Sequence, residues 1–342
     1  MKKLESRGST LHLALLIAAI LAAFTINNFY PAVSPLFLAL ILGLLITNTL
    51  GWGDKKIADL ASKRALRLGV IFLGFQISLT QIVDIGVKGL AAVALVVLLT
   101  FFGVRLVNQR LRLSDRLSLY IAGGFAICGV TAIAALSSTV KPSQANAERA
   151  QRDLSYAVAI VALCGTLSIF VLPLFIRALG LSPELAGAWI GAAVHDVGQV
   201  VATADLIGEE TTSAAIIVKL TRVVALIPLM LFIAHNASQL IKDEGVITEQ
   251  GPKFSILKAF PVFVALFLLT ALIVNTAPIS DEIIELGKSG SKLFLAIGLF
   301  GMGVGVKWRS IKALGARPLL IGIALWIASA TLALAIVALF GF

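Results

Sequence analysis

Apolar residues run through this chain in blocks of about 20, the length that crosses a bilayer as a helix. Short polar gaps separate the blocks. The pattern predicts eleven helical spans at 11–28, 34–50, 67–84, 88–106, 117–139, 154–178, 185–205, 212–235, 257–276, 291–306 and 318–340. The fold class expected is all-α, a polytopic membrane protein with about 11 transmembrane helices. Together these spans use up the chain and leave no extramembrane catalytic domain.

Composition agrees. Of 342 residues, 59% are hydrophobic and only 13% charged, with a mean hydropathy of +1.00. Soluble domains carry about a quarter charged residues. The formal charge of +10 would suggest nucleic acid in a soluble protein, but here the cations sit in the gaps between spans and nucleic acid is excluded as a partner. With the N-terminus inside, 20 Lys and Arg fall on the inner side and 6 on the outer, with Lys219 and Arg222 left inside a span. This favours an N-in, C-out arrangement in the plasma membrane. The basic start, Lys2, Lys3 and Arg7, resembles a signal peptide, but no small-residue cleavage site ends the run, so an uncleaved first helix is expected.

The domain organisation expected is one transmembrane transporter domain, 1–342, with halves at 1–180 and 181–342. The polar gap from Asn236 to Ser255 either links the halves or is a plain cytoplasmic loop. The acidic gap with Glu209 and Glu210 suits the outer side. Glycines at 69, 74, 298, 301, 303 and 305 are expected to serve close helix packing. Cys128 and Cys164 both lie in apolar runs, which argues against a disulfide scaffold or a thiolate metal site. No cofactor is expected.

Ionisable residues deep in a membrane cost roughly 2.5–3.5 kcal/mol each on insertion scales and so mark function. Counted along the seventh span, His195 and Asp196 lie about 15 Å deep, and as one continuous helix the span would put His195, Gln199 and Thr203 in a polar stripe. Lys219 and Arg222 share a face of the eighth span near its middle, although Lys219 has the alternative of snorkelling to the surface. The fifth span contains Gly123, Gly124, Cys128, Gly129 and Thr131 at a similar depth. It is either a helix broken to free its backbone groups for an ion or a continuous helix with small packing residues. Two cations against Asp196 leave about one uncompensated positive charge, which a bound oxyanion would satisfy. A fixed ion-pair triad is the bland alternative.

These residues carry a resemblance. The stretch from Leu66 to Phe75, the Ile127-Cys128-Gly129 segment with Thr131 to Ala135, the His195-Asp196-x-x-Gln199 segment and Lys219-Leu220-Thr221-Arg222 together resemble the YeiH family of bacterial inner-membrane proteins, described as sulfate exporters. The resemblance covers nearly the whole chain. It implies an inverted-repeat transporter with interrupted helices, like the sodium/proton antiporters and bile-acid symporters. Inverted partners must run in opposite senses, yet spans five and seven run the same way if both cross. Either one is re-entrant, or the partners lie elsewhere, span three against span ten having the required sense.

The function expected is a secondary transporter that exports a small anion, sulfate or a related sulfur oxyanion, by alternating access. Export suits the inside-negative potential, which favours each departing negative charge by about 2.3 kcal/mol per 100 mV. The substrate-binding residues expected are Cys128, Gly129, Thr131, His195, Asp196, Gln199, Lys219 and Arg222. Among them Lys219 and Arg222 hold the anion, Asp196 orients them, Gln199 and Thr131 donate hydrogen bonds, and His195 carries a proton where coupling exists. The partners are the anion and the lipid bilayer, with a coupling proton or sodium ion and a homodimer left open. A cation/proton antiporter using Asp196 is the main alternative. An intramembrane enzyme lacks a nucleophile or metal triad, and a purely structural role would leave Lys219 and Arg222 dispensable.

Overall fold

Helix meets every predicted span in the computed structural model, which describes residues 2–31, 33–52, 54–78, 80, 86–140, 142–236, 240, 241, 262–309 and 316–342. In chain order the helices are α1 (Lys2–Phe29), α2 (Pro35–Ile46), α3 (Lys55–Asp59), α4 (Leu66–Phe72), α5 (Gly86–Arg110), α6 (Asp115–Ala126), α7 (Val130–Thr139), α8 (Ala147–Leu179), α9 (Pro183–Ala193), α10 (Val197–Asp205), α11 (Glu209–Val224), α12 (Leu226–His235), α13 (Val262–Thr276), α14 (Asp281–Gly305) and α15 (Ala316–Leu339). Among the described residues, five stretches are long and apolar enough to cross a membrane: Thr10–Phe29, Gly86–Arg110, Gln144–Leu179, Glu209–Ile233 and Arg317–Leu339. The polar gap from Asn236 to Ser255 falls almost wholly outside the described residues.

The chain forms two packing units, one of residues 1–84, 204–209 and 262–310, the other of 85–203, 210–261 and 311–342. In the first unit, glycine lets backbones touch. A Cβ on Gly43 of α2 would lie 2.2 Å from the Phe300 carbonyl of α14, and one on Gly303 would lie 2.2 Å from the Leu40 carbonyl. Gly69 meets the Leu295 amide, and Gly298 meets Leu66, in the same manner. Gly69, Gly74, Gly298, Gly301 and Gly303 therefore serve packing, whereas Gly305 has open space where a Cβ would stand. Ser34 caps α2 by accepting from the Phe37 amide at 3.2 Å and donates to the Asp205 carboxylate.

In the second unit, α15 lies along α8. The Trp326 indole donates to Ser168 at 2.9 Å, and the Trp189 indole of α9 donates to the Ala330 carbonyl at 2.8 Å. The segments 117–139 and 185–205 differ from simple crossings. Both double back.

The first doubling is α6 into α7. The Arg116 guanidinium at the start of α6 donates to the Val140 carbonyl just past α7 at 2.7 Å, although in-line helices would hold them roughly 35 Å apart. Farther in, a Cβ on Gly123 would meet the Leu136 side chain, and one on Gly124 the Ile133 side chain. The contacts converge toward a tip at Cys128 and Gly129, which defines an antiparallel hairpin.

The second is α9 into α10. Gly187 of α9 abuts Thr211 and Ala214, and Gly191 abuts Ala215 and Val218, so α9 and α11 run parallel. The chain between them must return, and α10 is the returning arm. Each first arm has 11 or 12 residues, roughly 16–18 Å, about half the hydrocarbon thickness. Each begins with a serine cap: Ser114 accepts from the Leu117 amide and Ser182 from the Leu185 amide, at 3.2 and 3.3 Å.

Helix α8, 33 residues long, relates the hairpins. Ser114 at the base of the first donates to Asp153 near the α8 N-terminus at 2.5 Å, whereas the second starts just past the α8 C-terminus. Their tips reach its middle, the first beside Val161 and the second where Gln199 donates to the Ala162 carbonyl at 3.3 Å. The hairpins therefore enter from opposite ends of α8. Of the two arrangements left open by the sequence, the re-entrant one is present, and in both segments.

Candidate functional site

Backbone geometry makes the two tips. Ile127 leaves helical space (φ −125°, ψ −93°) and ends α6, and Gly129, at φ 62° and ψ −127°, starts α7. That conformation is open in practice only to glycine. Val194 turns extended (φ −78°, ψ 145°) and ends α9. His195 and Asp196 thus lie in a non-helical turn rather than on a continuous helix, so the expected stripe of His195, Gln199 and Thr203 does not form. Gln199 and Thr203 remain linked on α10, where Thr203 donates to the Gln199 carbonyl at 2.7 Å.

The breaks expose the last carbonyls of α6 and α9, acceptors that an intact helix would use internally. Lys219 and Arg222 of α11 satisfy them. The Lys219 ammonium, completely buried, donates to Ile127 at 2.6 Å and to Val194 at 2.8 Å. Arg222 donates from Nε to Ala126 at 3.1 Å, from Nη2 to Phe125 at 2.6 Å, and from Nη1 to Ala192. Lys219 does not snorkel. The donors of both cations are thus engaged at two helix C-termini, which together offset about one of their two positive charges.

The opposite helix ends also meet here. Asp196, partly buried, accepts from the Gly198 amide at 2.9 Å and so caps the N-terminus of α10. Its own amide donates to Gln199 Oε1 at 3.2 Å. Gly129 has no side chain with which to cap α7; of its first amides, that of Ala132 faces the Cys128 sulfur, and those of Val130 and Thr131 precede the first intrahelical acceptor. His195 sits beside that end. A Cβ on Gly129 would lie 3.3 Å from the His195 Cβ, and the imidazole stacks on Phe125 with centroids 4.5 Å apart. The His195 ring is 1% exposed, and neither nitrogen finds a partner among the described residues.

Cys128 is a buried free thiol at the first tip, and Thr131 is exposed on α7. Gln199 fits against Gly165 of α8, where any Cβ would fall 2.0 Å from its Oε1. Sequence reasoning did not find the carbonyls of Phe125, Ala126, Ile127, Ala192 and Val194 as partners of the cations, because backbone acceptors leave no mark in residue identity. Nor did it find Phe125 or Gly165, which read as ordinary apolar and packing positions.

A bundle whose backbone breaks at half-depth and whose buried cations sit on the broken ends is an all-α polytopic membrane protein with re-entrant helix hairpins. A family profile described as conserved hypothetical protein 698 matches residues 9–322. The chain is similar to a UPF0324 membrane protein of Corynebacterium glutamicum, 33% identical over 305 residues covering 89% of this chain and 84% of that protein. It is also similar to the UPF0324 inner membrane protein YeiH of Escherichia coli K12, 31% identical over 300 residues, covering 86% and 82%. A UPF0324 membrane protein of Streptococcus pyogenes is 30% identical over 335 residues, covering 94% of each. The chain belongs to the UPF0324 family. No solved structure matches it.

Proposed function

We propose that the protein is a secondary transporter of the bacterial inner membrane, not an enzyme, and that it exports a small anion, sulfate or a related sulfur oxyanion, by alternating access. One observation carries this reading: the N-terminus of α7, where Gly129 supplies no capping side chain, lies against a buried histidine whose ring nitrogens have no partner among the described residues. Helix N-termini favour anions through their free amides and their dipole.

The charge balance supports it. Lys219, Arg222 and Asp196 sum to one positive charge, while the two C-termini and the two N-termini cancel at about half a charge each. The two C-termini offset about half of the charge on Lys219 and Arg222, Asp196 caps α10, and about one positive charge remains over the site, to which the start of α7 adds its share. In this reading the amides of Val130 and Thr131, the Thr131 hydroxyl and the His195 ring receive the anion, Gly129 and Cys128 shape the tip, Gln199 fixes Asp196, and Lys219 and Arg222 act through their field rather than by contact. The exposed positions Thr131, Ala134 and Ser138 of α7 form a small, polar stripe suited to a wet path. The N-terminus is cytoplasmic in this reading, from the distribution of cations.

Flux of labelled sulfate, sulfite, taurine and chloride in proteoliposomes under imposed pH and voltage gradients tests the proposal. Selective oxyanion flux is expected, and its absence under every gradient overturns the reading. A second reading, cation/proton antiport, rests on Asp196, whose carboxylate is partly exposed at the second tip. Asp196→Asn separates the two: an antiporter loses substrate binding, whereas an anion carrier retains it.

A further inference from the structure

We propose that the Lys219 ammonium is a tethered substitute for a coupling cation, so that this protein works without sodium and shortening Lys219 uncovers a site for a monovalent alkali cation. Carriers with interrupted helices place such cations against half-helix C-terminal ends and unwound carbonyls. The two carbonyls of that kind in this unit are the terminal ones of the first arms, Ile127 and Val194, and one ammonium bridges both at 2.6 and 2.8 Å. Asp196, two residues past Val194, lies within electrostatic reach of the same ammonium. Two carbonyl oxygens around a completely buried ammonium, with a nearby, partly buried carboxylate, make the donor set of a hard monovalent cation. Arg222 directs its shorter bonds to the carbonyls of the preceding turns and reaches Val194 only at 3.5 Å, so it leaves the place to Lys219.

The consequence reaches coupling. A cation that arrives and leaves with each cycle draws the tips together only when bound, and its gradient drives the carrier. A lysine bridging the tips is always present and brings no gradient. Its job is positioning, since it touches the hairpin ends and not the start of α7.

The test uses the full-length chain in detergent, as wild type, Lys219→Ala and Lys219→Met. Alanine empties the place between the carbonyls, and methionine fills its volume without charge. Thermal unfolding is measured in choline chloride, sodium chloride, potassium chloride and ethylammonium chloride. Lys219→Ala is expected to gain about 3 °C or more in at least one of the small cations over choline, with wild type and Lys219→Met unmoved. A Lys219→Ala variant equally unstable in every salt, or yielding no folded protein in any of them, overturns the proposal. A second arm, which rests on the transport reading, follows anion flux: wild type is expected to be indifferent to replacing sodium by choline, and a sodium requirement in wild type also overturns it. Absence of anion flux in wild type, with the small-cation response of Lys219→Ala intact, sinks the transport reading and leaves the cation site standing.

Discussion

Arg116 donates a 2.7 Å hydrogen bond to the carbonyl of Val140, so the first turn of α6 and the residue after α7 stand at one level. This contact changes the side on which the following loop emerges. With the N-terminus inside, as proposed, and 117–139 and 185–205 both returning, Lys141, Arg149 and Arg152 count on the inner side and Arg177 on the outer, and the cation distribution sharpens from 20 against 6 to 22 against 4. The positive-inside tendency favours the hairpin arrangement over eleven crossings. It also gives the two broken segments the opposite senses that inverted partners require.

Single cysteines report this topology. Arg112→Cys and Ala145→Cys flank the first hairpin, while Glu184→Cys and Glu210→Cys flank the second, all at exposed positions; the native Cys128 and Cys164 are buried. A membrane-impermeant maleimide is expected to label the first pair only from the cytoplasmic face and the second pair only from the outer face. Labelling of Ala145→Cys from the face opposite Arg112→Cys would restore 117–139 as a crossing.

Arg222 holds both first arms, and its loss leaves buried carbonyls of α6 and α9 without donors. Removing one partner from a buried charged network costs about 3–5 kcal/mol. Arg222→Ala is expected to lower the yield of folded protein sharply and to lower Tm, read by size-exclusion and thermal unfolding in detergent. Arg222→Lys does not rescue it, since one ammonium cannot reproduce the planar fork that serves Phe125, Ala126 and Ala192 together. Folding of Arg222→Lys at wild-type stability would remove the fork from the account.

Span positions were legible because a membrane demands long apolar runs whatever the fold, and helix meets every predicted run. The burial of His195, Lys219 and Arg222 was legible too, since charge and polarity within an apolar run stand out in such a sequence. The path of the chain was not. A hairpin arm of 11 or 12 residues and half of a crossing have the same composition, and nothing in Gly123-to-Thr131 or Gly191-to-Gln199 states whether the second arm continues or returns. The partners of the cations were hidden for a related reason: a charge tally over side chains omits helix ends, and here backbone carbonyls at two C-termini accept from both cations.

Gly129 gives the site its most local test. Its φ of 62° with ψ of −127° strains any other residue, by about 1–3 kcal/mol, and an alanine methyl there would press on His195, whose Cβ is 3.3 Å away. Gly129→Ala is expected to fold with reduced stability and to lose most oxyanion flux. The control is Gly103→Ala, a helical position on α5 with nothing within 4 Å, which is expected to keep both. Equal flux from the two variants would separate the first tip from substrate handling.

His195 sets the expected response to pH. Imidazole is a side chain that can change charge by taking up a proton, and here it stands beside the start of α7, where Gly129 offers no capping side chain. Protonation adds a positive charge where the proposed anion sits, so affinity should rise on acidification. In proteoliposomes buffered symmetrically over a pH series, the concentration of sulfate that half-saturates flux is expected to be lower at the acid end than at the alkaline end for wild type. His195→Gln keeps a hydrogen-bonding side chain of similar size but cannot take up the proton, so its half-saturation should stay flat across the range. Asp196→Asn keeps the imidazole and should retain the trend. A pH response unchanged in His195→Gln would assign it to another group and remove His195 from the anion site.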